Sequence, residues 1–151
     1  MPNSLICLDA SIVVQALVNP KNLAVRQQWS RWRVDGQRFV APSLQRYEVT
    51  NALHRYQYGN QLGIDVIEDV LKIFLSLPIA HVDEQSDHQR AMEFARRFGR
   101  PAAYDAHYLV LAERLGVEFW TADRRLANAV HHSLSWVHLV GDDSATANGH
   151  G

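Results

Sequence analysis

The apolar residues of this chain alternate between short continuous runs and longer stretches with helical spacing. The first run, Leu5–Leu8, has four apolar residues in succession, which predicts a strand buried on both faces. After Asp9 the spacing changes, because the apolar residues from Ile12 to Leu17 recur at helical intervals. The pattern therefore predicts a buried strand that ends at a carboxylate, followed directly by a helix.

The same alternation continues along the rest of the chain. Four further apolar runs predict strands over 38–41, 79–82, 117–120 and 136–140. The stretches between them predict helices over about 22–34, 44–58, 62–77, 85–98, 101–115 and 124–130. Strands that alternate with helices indicate an α/β fold with a central parallel sheet of about five strands and helices on both faces. Right-handed crossovers then place the carboxyl ends of all strands at one edge of the sheet.

Some details of the helices also follow from the pattern. The helix over 101–115 is expected to begin near Pro101, since proline suits a first turn. Met92 in the helix over 85–98 is expected to face the core. The helix over 62–77 has a wide apolar stripe that includes Val66 and Leu75; core packing is expected for most of its positions, and the alternative is a groove for a partner or a homodimer interface. Two aromatic residues, Trp32 and Tyr58, could stack on nucleic-acid bases, but core packing is the use that we expect for both.

Composition narrows the class of protein. The length of 151 residues suits one domain, expected over 1–140, with a polar, flexible tail over 141–151. The formal net charge of -1 does not by itself indicate a nucleic-acid binder. We see no basic leader and no apolar stretch long enough to span a bilayer, so a cytoplasmic protein without a membrane partner is expected. The single cysteine, Cys7, falls in the first predicted strand and cannot form an internal disulfide.

Two of the acidic residues that follow predicted strands are candidates for a site. Asp9 comes after the first strand and Asp123 comes just after the fourth. The carboxyl edge of an open α/β sheet is where ligands bind, which makes both residues candidates for a site. The alternative for each is a plain helix cap, with Thr121 as a competitor for the second helix.

Two more acids fall on helix faces that are otherwise apolar. Glu48 lies four residues after Leu44 and four before Ala52, on the same face of its helix. Asp105 shares a helical row with Leu109 and is a poor helix former away from a cap. The alternatives are a glutamate that reaches solvent on its stem and an aspartate that interacts with the helix dipole.

Taken together, these four acids suggest a cation site. Several carboxylates near one another disfavour ionisation, and a divalent cation removes that conflict. All-oxygen ligation suits Mg²⁺ or Mn²⁺. The histidines do not have zinc-ligand spacing, and the chain has no second cysteine.

Four segments resemble the motifs of one family, the PIN-domain ribonucleases. They lie in this order along the chain: Leu8–Ser11, Tyr47–Leu53, Ala103–Leu109 and Thr121–Leu126. Each segment alone is a weak signal, but four in this order at this length are a strong one. Within the family, the sequence is most similar to the VapC-type toxins of toxin–antitoxin pairs.

The resemblance implies a three-layer α/β/α fold and cleavage of RNA that depends on Mg²⁺ or Mn²⁺. It assigns the metal site and catalysis to the four acids Asp9, Glu48, Asp105 and Asp123, and secondary roles to Ser11, Asn51 and Thr121. It also implies a cognate antitoxin protein and a homodimer. The residues themselves add three candidates for contacts to the RNA backbone, Arg100, Arg124 and Arg125, because arginine binds phosphate through a paired fork.

Two other functions compete with this interpretation. A phosphoacceptor receiver or phosphatase of the doubly wound class also has an acid after its first strand. Such a protein normally has adjacent acids there and a late lysine, whereas Asp9 stands alone and the only lysines are Lys21 and Lys72. The second alternative is a non-catalytic, RNA- or protein-binding module with the same fold, which intact acids in all four motifs argue against.

Overall fold

The computed structural model describes residues 4–141, and its centre is a sheet of five parallel strands. The strands are β1 (Leu5–Leu8), β2 (Arg38–Ala41), β3 (Ile79–His81), β4 (Glu118–Thr121) and β5 (Val137–Leu139). The helices are α1 (Ala10–Val18), α2 (Leu23–Asp35), α3 (Leu44–Tyr58), α4 (Ile64–Ser76), α5 (Gln85–Arg97), α6 (Tyr104–Leu115) and α7 (Arg124–Val130). The predicted α/β class and parallel sheet are therefore confirmed.

The strand order β3-β2-β1-β4-β5 explains where a site can form. From β1 the chain runs outward through β2 to β3 and then returns to the other side of β1 as β4. The connections therefore diverge between β1 and β4, where a crevice opens at the carboxyl ends of the strands. Asp9 and Asp123 follow these two strands, and the register pairs Leu8 with Trp120 one residue before Asp9.

Helices cover the sheet in two layers, which gives the three-layer α/β/α architecture. Helix α1 packs against α2, α3 and α4, whereas α6 packs against α5 and lies on β1 and β4. The core joins the apolar faces of these layers, and its largest fully buried side chains include Tyr108, Phe94 and Phe119. No described helix is long and apolar enough to cross a membrane.

Two aromatic residues of α2 belong to the core. Trp32 is buried and packs edge-on against Phe39 and Trp120, with ring centroids 5.5 and 5.4 Å apart. Trp29 stacks on Phe39 at 5.7 Å.

Gly36 ends helix α2 with φ 67°, a conformation that favours glycine, and its N–H donates to carbonyls of the last turn.

Several predictions about the helices are wrong. Helix α6 begins at Tyr104 rather than near Pro101, because proline restricts its own φ but does not oblige the next residues to continue as helix. Met92 is 57% exposed, since the core face of α5 is centred on Ala91, Phe94 and Ala95, and Met92 is rotated away from it.

The other errors concern α4 and the end of α3. Val66 and Leu75 lie on the exposed flanks of α4, whose buried residues are Ile67, Val70 and Phe74. Tyr58, expected in the core, is 83% exposed at the end of α3. The predicted tail over 141–151 lies outside the described residues except for Gly141, and the domain boundary at 140 stays a prediction.

Candidate active site

Asp9 lies at the carboxyl end of the central strand and is held by two hydroxyl groups. Its backbone N–H donates to the carbonyl of Trp120 at 3.0 Å, which continues the β1–β4 pairing. Its Oδ2 accepts hydrogen bonds from Thr121 Oγ1 at 2.6 Å and from Ser11 Oγ at 2.8 Å. Although Asp9 occupies the N-cap position of α1, its side chain makes no cap hydrogen bond. Capping therefore does not explain the carboxylate of Asp9.

The same two hydroxyls connect Asp9 to the end of β4. Ser11 Oγ accepts from the backbone N–H of Ala122 at 2.9 Å, and Thr121 Oγ1 accepts from the N–H of Asp123 at 2.9 Å. Each hydroxyl thus donates to Asp9 and accepts from the turn after β4. Ser11 and Thr121 therefore fix the two neighbouring strand ends that carry Asp9 and Asp123.

Glu48 reaches the same edge of the sheet from α3. Its Oε1 accepts a hydrogen bond of 2.6 Å from the hydroxyl of Tyr108, a fully buried residue of α6. The Glu48 side chain is partly buried and so retains some contact with solvent. The buried amide of Gln45, one helical turn earlier, donates to the carbonyl of Leu8 at 2.8 Å. These two hydrogen bonds fix α3 against β1 and α6.

Asp105 comes from the opposite layer. It lies in the first turn of α6, so the helix dipole favours its charge, which was the alternative explanation for this residue. Its Oδ2 also forms an ion pair of 3.0 Å with the guanidinium of Arg100, which is mostly buried. Arg100 therefore contacts one of the four acids directly, in addition to its predicted role as a contact to RNA.

Asp123 is the N-cap of α7. Its Oδ1 accepts from the backbone N–H groups of Arg125 and Leu126 at 3.0 and 3.3 Å. Here the capping alternative holds, but it uses one carboxylate oxygen and leaves the charge in place. The side chains of Arg124 and Arg125 are exposed beside it.

Asp9 interacts electrostatically with each of the other three acids. Burial raises the pKa of Asp9 to about 6, and the charges of Asp105 and Asp123 add to that rise, whereas the hydrogen bonds from Thr121 and Ser11 oppose it. Burial also raises the pKa of Glu48 to about 7; the bond from Tyr108 opposes the rise, and the charges of Asp9 and Asp105 add to it. Acids from two strand ends and two helices therefore lie close enough for their charges to affect the pKa of Asp9 or of Glu48.

This arrangement has the chemistry of a cation site without a complete set of ligands. Carboxylate oxygens from separate elements, two of them with raised pKa, are the donors that Mg²⁺ or Mn²⁺ prefers, and a bound cation would favour their ionised forms. Within residues 4–141, however, no group of three or more His, Cys, Asp or Glu side chains is arranged to hold a metal ion. The donor set fits the cation, but the side chains would have to move closer to bind it.

A shallow groove passes beside Glu48. Ser11, Glu48 and Ala122 line one part of it, with a volume of about 480 Å³. Glu48 also lines the adjoining part together with Asn51 and Arg55. Asn51 is exposed, so it borders the groove rather than supporting the acids from within.

The sequence interpretation did not include two residues that support the site. Tyr108 lies three residues after Asp105, on the same helix face, and Gln45 is a polar residue in the core-facing row of α3 that continues with Val49 and Leu53. A hydrogen-bonding side chain inside an apolar helical row was the available signal in both cases.

Comparisons with known proteins agree with the fold. The sequence matches the PIN domain family over residues 6–131. No curated protein sequence matches the chain. The solved structure of PAE2754 from Pyrobaculum aerophilum is similar with a TM-score of 0.59 and 21% identity, covering 87% of this chain and 88% of that one. The structure of VapBC2 from Rickettsia felis, bound to a DNA fragment from its promoter, is similar with a TM-score of 0.60 and 14% identity, covering 83% of this chain and 93% of that one.

Proposed function

Since the match extends over residues 6–131, the chain belongs to the PIN domain family, and we propose that it is a divalent-metal-dependent endoribonuclease. PIN domains are generally nucleases. The observation that carries the proposal is that Asp9, at the carboxyl end of β1, interacts electrostatically with Glu48, Asp105 and Asp123. The pKa of two of these acids is raised, which is common at functional sites.

The roles of the chain's own residues follow from their surroundings. Asp9 and Asp105 are the ligands that we propose for Mg²⁺ or Mn²⁺, and Glu48 and Asp123 complete the acidic site. When bound, the cation supplies positive charge against the phosphate and lowers the pKa of an attacking water. Ser11 and Thr121 hold Asp9 in place through Oδ2. Tyr108 holds Glu48 and favours its ionised form, the form able to accept a proton from water.

Positive side chains are needed because RNA phosphates would be repelled by the acids. Arg124 and Arg125 are exposed at the start of α7, directly after Asp123, and we propose that they contact the RNA backbone. Arg100 is paired with Asp105, so it would have to exchange that partner for a phosphate.

We also propose that the protein is the toxin of a toxin–antitoxin pair, acting in the cytoplasm. The fold similarity to VapBC2, which was solved bound to a DNA fragment from its promoter, supports this. Helix α4 supports a protein partner, because it carries exposed aliphatic side chains at Ile64, Val66, Ile73 and Leu75. The homodimer stays a prediction.

One observation favours a second candidate, a non-catalytic RNA-binding module. The ion pair between Arg100 and Asp105 already neutralises one of the proposed metal ligands. Calorimetric titration with Mn²⁺ distinguishes the two functions, since a module of this kind would not bind the ion.

The proposed function is tested by RNA cleavage with purified protein. We expect total RNA to be cut at defined positions in the presence of Mn²⁺, with the ends mapped by sequencing, and no cleavage in EDTA. Asp105→Asn should abolish the same ends. Cleavage that persists in EDTA, or that Asp105→Asn leaves unchanged, would contradict the proposal.

A further inference from the structure

Two histidines from different helices meet where α5 packs on α6. Nδ1 of His88 lies 3.0 Å from Nε2 of His107, and the planes of the two rings are inclined by 65°. The residues are 19 positions apart in the sequence, so the pair does not have the spacing of a zinc motif and forms only when the two helices pack. The proposed cleavage of RNA makes no use of this pair.

The ring of His107 is already oriented as a metal ligand would be. Its Nδ1 lies 2.8 Å from the carbonyl oxygen of Ala103. Because a carbonyl oxygen can only accept, Nδ1 carries the proton, and the lone pair of the neutral ring is on Nε2, which faces His88. Histidines that bind metals use the same arrangement, with one ring nitrogen on the ion and the other donating to a carbonyl or carboxylate.

The separation of the two facing nitrogens suits a shared ion. A ring nitrogen lies about 2.0–2.1 Å from a bound metal, so two such ligands are about 2.9 Å apart at a right angle and about 3.3 Å apart at the tetrahedral angle. The observed 3.0 Å is close to the right-angled arrangement, which Cu²⁺ and Ni²⁺ adopt and tetrahedral Zn²⁺ does not. The ion would lie off the line between the nitrogens, and the exposed ring of His88 is free to turn toward it.

Other contacts fix the position of α5 relative to α6. Next to the pair, the guanidinium of Arg114 donates two hydrogen bonds of 2.9 Å to the carboxylate of Asp87. On the same two helices, Arg90 forms an ion pair of 3.1 Å with Glu113. The histidines therefore come from helices that are already held together, so little backbone movement has to accompany binding of an ion.

The surroundings of His88 leave room for an ion and its water ligands. His88 lines an open depression of about 610 Å³ together with the polar side chains of Gln85, Ser86 and Gln89. Asp83 interacts electrostatically with His88 and adds negative charge beside the pair. Among the described residues, no third His, Cys, Asp or Glu side chain is arranged to join the two rings, so water would supply the other ligands.

We propose that His88 and His107 form a transition-metal site that binds Ni²⁺ or Cu²⁺ and ties α5 to the start of α6. The site is chemically distinct from the acidic one, because imidazole suits these ions whereas carboxylates suit Mg²⁺ or Mn²⁺. The inference does not depend on the proposed ribonuclease function. The alternative is a plain hydrogen bond, in which Nδ1–H of His88 donates to Nε2 of His107 and no ion binds.

The test is calorimetric titration of the untagged full chain with Ni²⁺ at about pH 8, where free imidazole is neutral. Excess Mg²⁺ is present throughout to compete for the carboxylates. We expect the wild type to bind one ion per chain, and His88→Gln and His107→Gln each to weaken binding at least about ten-fold. Thermal melts provide a second readout, since Ni²⁺ should raise the Tm of the wild type and leave that of His88→Gln unchanged.

His131→Gln is the matched control. It changes one member of another close pair, His131 and His132, whose exposed rings have centroids 3.8 Å apart. This variant should bind Ni²⁺ like the wild type. A wild type that binds no Ni²⁺, or a His88→Gln variant with unchanged affinity, would overturn the inference and leave the pair as a hydrogen bond. Loss of binding in His131→Gln but not in His88→Gln would assign the ion to the other pair and would overturn it as well.

Discussion

The hydroxyl of Tyr108 donates a 2.6 Å hydrogen bond to Oε1 of Glu48, which joins the two helical layers at the carboxyl edge of the sheet. The two residues are 60 positions apart in the sequence. A hydrogen bond to an ionised carboxylate favours the ionised form and lowers its pKa. Tyr108 therefore partly offsets the burial that raises the pKa of Glu48 to about 7.

Removal of this hydroxyl should shift the pH dependence of the reaction. In Tyr108→Phe the pKa of Glu48 should rise further, so the acidic limb of the pH–rate profile should move to higher pH. The ring still fills the core, so the loss of stability should be about 1 kcal/mol. Tyr104→Phe is the matched control, because Tyr104 lies exposed on the same helix. Profiles of the two variants that coincide would show that the hydrogen bond to Glu48 has no role in the reaction.

Asp9→Asn should make the metal-free protein more stable near pH 8. The pKa of Asp9 is raised to about 6 in the folded protein, so the folded state holds its proton to higher pH than the unfolded chain does. Folding therefore loses stability as the pH rises from about 4 to about 6, and the loss is on the order of 3 kcal/mol for Asp9. The asparagine side chain does not ionise, so the variant does not lose stability in this way. Its amide oxygen can still accept the hydrogen bonds from Thr121 and Ser11.

The measurement is urea unfolding in EDTA at about pH 5 and pH 8, where the gain of Asp9→Asn over wild type should grow with pH. Asp87→Asn is the contrasting control. Asp87 is equally buried, but two hydrogen bonds of 2.9 Å from Arg114 compensate its charge. That substitution should destabilise the protein, by about 2 kcal/mol. A wild type that is more stable than Asp9→Asn at the higher pH would contradict the interpretation of Asp9.

Addition of Mn²⁺ should stabilise the wild type more at about pH 8 than at about pH 5. Proton release from Asp9 and Glu48 must accompany ion binding, because both have raised pKa. Thermal melts with and without the ion measure the effect as a difference in Tm, and Asp9→Asn should greatly reduce it. A Tm shift of the same size at both pH values would mean that the ion binds elsewhere.

Removal of Arg100 should strengthen binding of Mn²⁺. Its guanidinium pairs with Oδ2 of Asp105 at 3.0 Å and so competes with a cation for that carboxylate. In Arg100→Ala the Kd for Mn²⁺ should fall by about three-fold or more. This corresponds to a free energy of about 0.6 kcal/mol or more for the ion pair that the cation no longer has to break. Arg96→Ala, an exposed arginine of α5, controls for the change in net charge. Equal Kd values for both variants would indicate that the ion pair with Asp105 does not affect metal binding.

The sequence could predict the strands and the acids that follow them, because both are local signals. An apolar run such as Leu5–Leu8 predicts a buried strand, and the residue that ends it must lie at the sheet edge. The start of α6 was not predictable in the same way, since Pro101 is equally compatible with a turn. The position of Asp105 in the first helical turn depends on that boundary.

Contacts between elements distant in sequence could not be predicted. The bond between Tyr108 and Glu48 and the bond from Gln45 to the carbonyl of Leu8 depend on how α3 and α6 pack on the sheet. Periodicity gives the buried face of a helix but not the partner of each polar atom on it. The prediction that Tyr58 and Met92 lie in the core failed for a related reason. Each residue along a helix is rotated by 100° from the one before it, so a small error in the position of the buried face moves a side chain from the core to the surface.

The central claim is that acids from four separate elements form one metal-dependent site that cleaves RNA. Single-turnover cleavage of a labelled, unstructured RNA at saturating Mn²⁺ tests it most directly. Asp9→Asn should reduce the rate constant by about 100-fold or more while its circular dichroism spectrum stays that of the wild type. Asp65→Asn, which changes an exposed acid in the first turn of α4, should cleave at the wild-type rate. A folded Asp9→Asn variant with an undiminished rate constant would contradict the account.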